Sequence, residues 1–220
     1  MRTTISSLSI DQLCDLLVLQ VDSSFPDGNS LERSSLSRSA AVAMQRLEHC
    51  FVSVNNKYFF NGKQAVFDHL HSDQYAIWLY LFSNQLFHDS APLSWCKKVF
   101  LLNKMMHGCD IFYEVELPSI FLLVHPLGTV LGRGIYQDYF MVYQRCSIGS
   151  NHSIYPRLGK HLTLRPGSAV LGNCLIGDNV TIATESLVLD HSVPSDTVYF
   201  GKPRDHWTRY KSSMESIWRK

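Results

Sequence analysis

No apolar run in the chain approaches the roughly 18 residues of a membrane-spanning helix. The opening MRTTISSLSIDQLCDLL lacks the apolar core and small-residue cleavage site of a signal peptide, so a cytoplasmic chain is expected. Neither charge is in surplus: 20 Lys and Arg stand against 19 Asp and Glu, with no basic stripe and no acidic tail. That balance argues against a nucleic-acid partner. CxxC pairs are missing as well. The six cysteines, at 14, 50, 96, 109, 146 and 174, are scattered, which excludes a disulfide frame or a zinc site of ordinary spacing and leaves no metal expected. At 220 residues the chain is long enough for a sizeable core in one or two domains.

What is present is a period of six. Aliphatic or aromatic residues recur at Val130, Tyr136, Val142 and Ile148, then at Leu158, Leu164, Val170, Ile176, Ile182 and Val188. Four positions after the later ones come mostly small residues: Ser168, Cys174, Val180, Ser186 and Ser192. A helix repeats at 3.6 and a half-buried strand at 2, so neither explains the spacing. A solenoid of short parallel strands and tight turns does, with each aliphatic pointing into a prism-shaped core. Between Ile148 and Leu158 the step is ten, so Asn151 to Ile154 form an inserted loop of the kind that builds binding faces. Pro194 is expected to break the ladder, and Cys146 reads as core.

The first 108 residues have a helical texture. Ser9-Ile10-Asp11-Gln12 has the form of a capping box opening a helix to about Val21. Further helices are expected over Leu31 to His49, Asp73 to Phe87 and Leu93 to His107, the last stopped by Gly108 as a C-cap. Tyr58 to Val66, with its Asn61-Gly62 turn, is a small hairpin or an irregular link. The chain therefore divides into a helical domain (1–108), a solenoid (109–205) and a polar tail (206–220).

The stretch LNKMMHGCDIFYEVELPSIFLLVHPLGTVLG, from Leu102 to Gly132, resembles the entry coil of serine acetyltransferases. Cys109-Asp110-Ile111 stands fifteen residues before His125, as an Asp stands before the catalytic His in that family. Ser147-Ile148-Gly149, Leu171-Gly172-Asn173 and Gly201-Lys202-Pro203 fall in family positions too. The resemblance implies an α+β fold: an N-terminal helical domain followed by a left-handed parallel β-helix of hexapeptide repeats. It further implies acetyl-CoA as co-substrate, His125 as general base and Asp110 as its orienting partner. An imidazole has an ordinary pKa near 6.5 and can take a hydroxyl proton near neutrality, and a carboxylate behind it stabilises the imidazolium. A backbone N–H at Gly149 or Ser150 is the implied oxyanion donor. Coenzyme A is implied to run along coil corners at Pro166, Gly167, Ala183 and Thr184, with Lys202 or Arg204 near its phosphates. A homotrimer or a dimer of trimers is the implied assembly.

The departures from the family bear on the acceptor. Val124 stands where the family has an Asp before the catalytic His, and Ile154-Tyr155 replace an Arg-His pair before Pro156. Charged partners for an amino acid are thereby lost, so Val124 and Tyr155 suit a neutral, hydroxyl-rich acceptor better. HSDQYAIWLYLFSNQ, from His71 to Gln85, resembles enzymes of bacterial surface-polysaccharide assembly. His71 and Asp73 either reach the acceptor pocket or form an exposed helix start, with Asp73 near the helix N-terminal dipole. O-acetylation of a carbohydrate is thus the first expectation. Serine O-acetylation for cysteine synthesis and N-acetylation of an amino sugar are its alternatives within the class. A non-catalytic scaffold is the alternative outside it. His161 and His191 read as turn residues.

Overall fold

A computed structural model describes residues 4–219, so the readings made above on residues 1–3 and 220 lie outside the described residues. The N-terminal part holds strand β1 (Ile5–Ser6) and helices α1 (Ile10–Ser24), α2 (Arg33–Phe51), α3 (Ser72–His88) and α4 (Leu93–His107), with the short strand β2 (Val66–Phe67) before α3. The Ser9 hydroxyl accepts from the Gln12 N–H at 3.2 Å, and the Gln12 side chain accepts from the Ser9 N–H at 2.9 Å, closing the capping box. Gly108 ends α4 with φ of 62°, a left-handed cap that only glycine adopts without strain. Helix α3 is buried almost all round, from Asp73 to Asn84, so it is the central helix of this part. Residues 58–66 form a tight turn closed by an antiparallel bridge between Phe60 and Ala65, after which β2 pairs in parallel with β1.

The remainder coils. Strands β3 (Asp110–Ile111), β5 (Val130–Leu131), β7 (Ser147–Gly149), β10 (Ala169–Leu171) and β13 (Leu187–Leu189) stack into one parallel face. β4 (Phe121–Leu123), β6 (Phe140–Val142), β9 (Thr163–Leu164), β12 (Thr181–Ile182) and β14 (Thr197–Lys202) make a second. β8 (Arg157–Leu158) and β11 (Leu175–Ile176) form the third, bridged at its ends by Ile135 and Val193. Each strand is too short to persist alone; stacking in register is what holds it. Val142, Leu164, Ile182 and Tyr199 lie over one another, as do Leu131, Ile148, Val170 and Val188, forming the inner columns of the prism. Full burial of such a side chain is worth about 1.5–3 kcal/mol.

Three details differ from the spacing argument. In the first coil the inward residue is Leu131, 1% exposed, while Val130 is 44% exposed, because neighbouring strand residues face opposite ways and the period enters one residue later. Ser192 is exposed rather than tucked into a corner. Pro194 does not end the ladder: Val193 still pairs with Ile176, and β14 continues the second face by pairing with β12. β15 (Asp205–Tyr210) then folds back antiparallel on β14, so the hairpin crosses the boundary expected at 205.

The tail runs back over the solenoid. Glu215 takes both its carboxylate oxygens to Arg165, at 2.9 and 3.0 Å. Trp218 packs edge-on against Tyr139, and the Arg219 N–H donates to the Ser53 carbonyl at 2.8 Å. The helical part docks on the first coil through a shared core. There the Tyr80 hydroxyl donates to the Val115 carbonyl at 2.8 Å and accepts from the Leu117 N–H at 2.9 Å. All six cysteines are buried and unpaired.

Candidate active site

The corner between the second and first faces collects most of the singled-out residues. Backbone bonds link Val124 to Val142, Tyr143 to Leu164, Arg165 to Ile182 and Ala183 to Tyr199. One residue further along each turn, His125, Gln144, Pro166, Thr184 and Gly201 therefore share a column. The turn backbones are bonded too, Gly128 to Gly108, Arg145 to Leu127, Gly167 to Gln144 and Glu185 to Pro166. Strands stack at about 4.8 Å, so about 14 Å separates His125 from Thr184.

His125 adopts φ of 49°, a left-handed conformation uncommon outside glycine. This turn frees its N–H from the ladder, and Asp73 takes it: Asp73 Oδ2 accepts from the His125 N–H at 3.1 Å and lies 3.7 Å from Nδ1. Asp73 is 5% exposed and sits in the first turn of α3, where the helix dipole favours a carboxylate. The His125 side chain is 77% exposed. A solvent-facing imidazole thus stands against a buried acid supplied by the helical part.

Asp110 shares this corner, its N–H donating to the Thr129 carbonyl at 2.8 Å. The pairing expected between Asp110 and His125 is nevertheless not formed. Asp110 Oδ2 accepts from Lys104 Nζ at 2.6 Å, because Lys104 lies one turn before the end of α4 and reaches the carboxylate first. His71 does not meet His125 either; its ring packs against Tyr58 and Phe59 at centroid distances of 6.4 and 5.5 Å. Asp73 is buried, not an exposed helix start.

Ser150 and Tyr155 lie elsewhere. They flank the inserted loop between β7 and β8, where Asn151 and Ile154 exchange backbone bonds of 3.1 and 2.9 Å. That loop is at the next corner of the prism, so within one chain neither residue converges on His125. Ala183 and Thr184 border a cavity of 690 Å³ that Arg165, Arg209 and Lys211 also line. Sequence reasoning missed these three cations, although Arg165 follows the core position Leu164. Lys202 and Arg204 sit exposed at the tip of the β14–β15 hairpin.

Two further histidines lie against aromatic rings. His161 stacks on Tyr139 at 4.3 Å, and burial followed by the nearby Lys211 charge pushes its pKa down. His191 lies 5.0 Å from His206. Among the described residues no cluster of three or more His, Cys, Asp or Glu is placed to hold a metal ion. No described helix is long and apolar enough to cross a membrane.

No family model matches the chain. It is 33% identical over 107 residues to a serine acetyltransferase of Synechococcus elongatus, a match covering 46% of this chain and 43% of that protein. The chain thus spans less than half the length of that relative. Its fold is similar to the serine acetyltransferase of Neisseria gonorrhoeae, with a TM-score of 0.71 at 16% identity over 94% of this chain and 82% of the other. A Brucella abortus serine acetyltransferase in complex with coenzyme A gives a TM-score of 0.70 at 14% identity, covering 95% and 85% of the two chains. By sequence over about half its length and by fold over nearly all of it, the chain is serine acetyltransferase-like, helices followed by a β-helix of hexapeptide repeats.

Proposed function

We propose that the chain is an acetyl-CoA-dependent O-acetyltransferase with His125 as its general base. The observation that carries this reading is the solvent-facing imidazole of His125 at the head of the corner column, its Nδ1 3.7 Å from buried Asp73, which accepts from the His125 backbone N–H. In the reaction, His125 takes the proton of the acceptor hydroxyl, and the freed oxygen attacks the thioester carbonyl. The carbon–sulfur bond then breaks, and the leaving thiolate takes the proton back from the imidazolium. No acyl-enzyme is needed. Base catalysis of this kind contributes about 10²–10⁴ in rate.

The corner column gives the donor a track: Pro166, Gly167, Ala183 and Thr184 present small side chains and backbone along it, with Lys202 and Arg204 for the phosphates. The Ser150 N–H can serve as oxyanion donor only from a neighbouring copy, since in its own chain it lies at a different corner. A trimer in which one copy's inserted loop faces the next copy's His125 satisfies this, and the helical part is available for further association.

Serine is the acceptor that the relatives favour, since those named above are serine acetyltransferases. The buried Asp73 carboxylate is also a fitting partner for an ammonium. The carbohydrate acceptor, and with it a place in surface-polysaccharide synthesis, is less well supported. It remains as a second reading on one observation: Val124, Ile154 and Tyr155 offer no charge to an amino acid. Thiol release from acetyl-CoA, measured with serine and with a panel of sugar nucleotides, separates the two. Loss of turnover in His125→Ala with an unchanged melting temperature supports the enzyme. Wild-type protein that binds no acetyl-CoA would leave only a scaffold.

A further inference from the structure

A second cavity lies about 12 Å along α3 from Asp73. There α2, α3 and the turn before β4 enclose a cavity of 250 Å³. Val42, Leu81, Leu117 and Pro118 give it an apolar side, and Gln45, Arg46 and His49 of α2 with Ser119 line the rest. Arg46 donates only to neutral acceptors: the Asn84 side-chain oxygen at 2.8 Å, that of Gln85 at 3.3 Å and the Leu81 carbonyl at 3.5 Å.

The carboxylates of this junction are engaged with other groups. Glu116 meets His88 at 3.1 Å and accepts from Asn84 at 3.3 Å. Asp89 accepts from Ser39 at 2.6 Å and from Gln85 at 3.0 Å, and Glu48 accepts from Thr4 at 3.0 Å. Arg46 is therefore a half-buried cation with no carboxylate partner among the described residues, lining a hollow of metabolite size that has one apolar side. A guanidinium with donors to spare binds a carboxylate in two-pronged fashion, and the hollow takes an aliphatic body.

We propose that this cavity binds a small monocarboxylate with a short aliphatic chain, its carboxylate on Arg46 and its chain between Val42, Leu81 and Leu117. The site goes beyond the acetyl-transfer reading and stands or falls without it, because its test is binding alone. Sodium butyrate is titrated into the full chain by calorimetry, beside 1-butanol, n-butylammonium and inorganic phosphate. Saturable binding of butyrate that the other three do not match is expected. Arg46→Gln, which keeps a donor to Asn84, weakens it by about tenfold or more, and Arg46→Lys retains part of it. Val42→Phe, which fills the hollow and leaves the cation in place, abolishes it. Each variant is compared with wild type at equal melting temperature. The proposal is overturned if butyrate gives no saturable heat, if butanol or phosphate binds equally well, or if Arg46→Gln or Val42→Phe binds as wild type does.

Discussion

Two carboxylates compete for the role behind His125, and exchanging each for its amide decides between them. Asp73→Asn keeps an oxygen for the His125 N–H at the observed 3.1 Å but removes the charge 3.7 Å from Nδ1. Two unit charges at that distance interact by about 4.5 kcal/mol at an effective dielectric constant of ~20 and about 1.1 kcal/mol in water. Because the imidazole is largely in solvent, the lower part of that range applies, about 1–2 kcal/mol. This corresponds to a fall in kcat/KM of about 5–30-fold. Asp110→Asn, which breaks the Lys104 pair on the surface instead, should change kcat/KM by about twofold or less. The assay is thiol release from acetyl-CoA with a working acceptor at low ionic strength, with the fold checked by melting. If Asp110→Asn falls as far as His125→Ala while Asp73→Asn stays at wild-type rate, the structural argument is refuted. Asp110 is then the partner that the family resemblance implied.

Other perturbations follow from the same geometry. His125→Ala should lose about 10²–10⁴ in turnover with no change in melting temperature, since its side chain makes little packing contact; a large stability loss would mean the residue is structural. Trp218 is 6% exposed and joins the tail to Tyr139 and Val54, so Trp218→Ala should destabilise by about 2–3 kcal/mol, below the core value because a chain end can peel away. Urea melts would show this as a lower midpoint. Burial lowers the pKa of His161 and of His107, so the unfolded chain takes up protons that the folded chain refuses. Stability should therefore fall as pH drops below about 6.5, the ordinary histidine value. His161→Gln should remove part of that slope between pH 7 and 5, leaving the share of His107; an unchanged slope would contradict the assignment.

Much of this molecule was legible before any coordinates. A period of six can be met only by a coil with flat faces, so Val142, Leu164 and Ile182 had to stack inward, and the ten-residue step at Ile148 had to swing a loop outward. The start of α1 and the end of α4 were legible for local reasons, since Ser9 and Gln12 satisfy each other and Gly108 takes a left-handed turn that glycine adopts most readily, whereas α1 runs on to Ser24 and α2 covers Arg33–Phe51 rather than Leu31 to His49. The start of the coil was less legible, since Val130 and Leu131 are both aliphatic and only pairing decides which faces the core.

What tertiary structure alone decided is who meets whom. The fifteen-residue step brings Asp110 and His125 to one corner, but sequence spacing cannot see that Lys104 arrives there too, nor that α3 delivers Asp73, 52 positions before His125, to it. It likewise hides the tail's return to the solenoid and the hollow beside Arg46. The physical reason is common to all of them. Periodicity and capping are settled by neighbours within a few residues, whereas a charge chooses its partner from everything the folded chain brings within reach. That choice depends on distance and burial in three dimensions, which the order of residues does not contain.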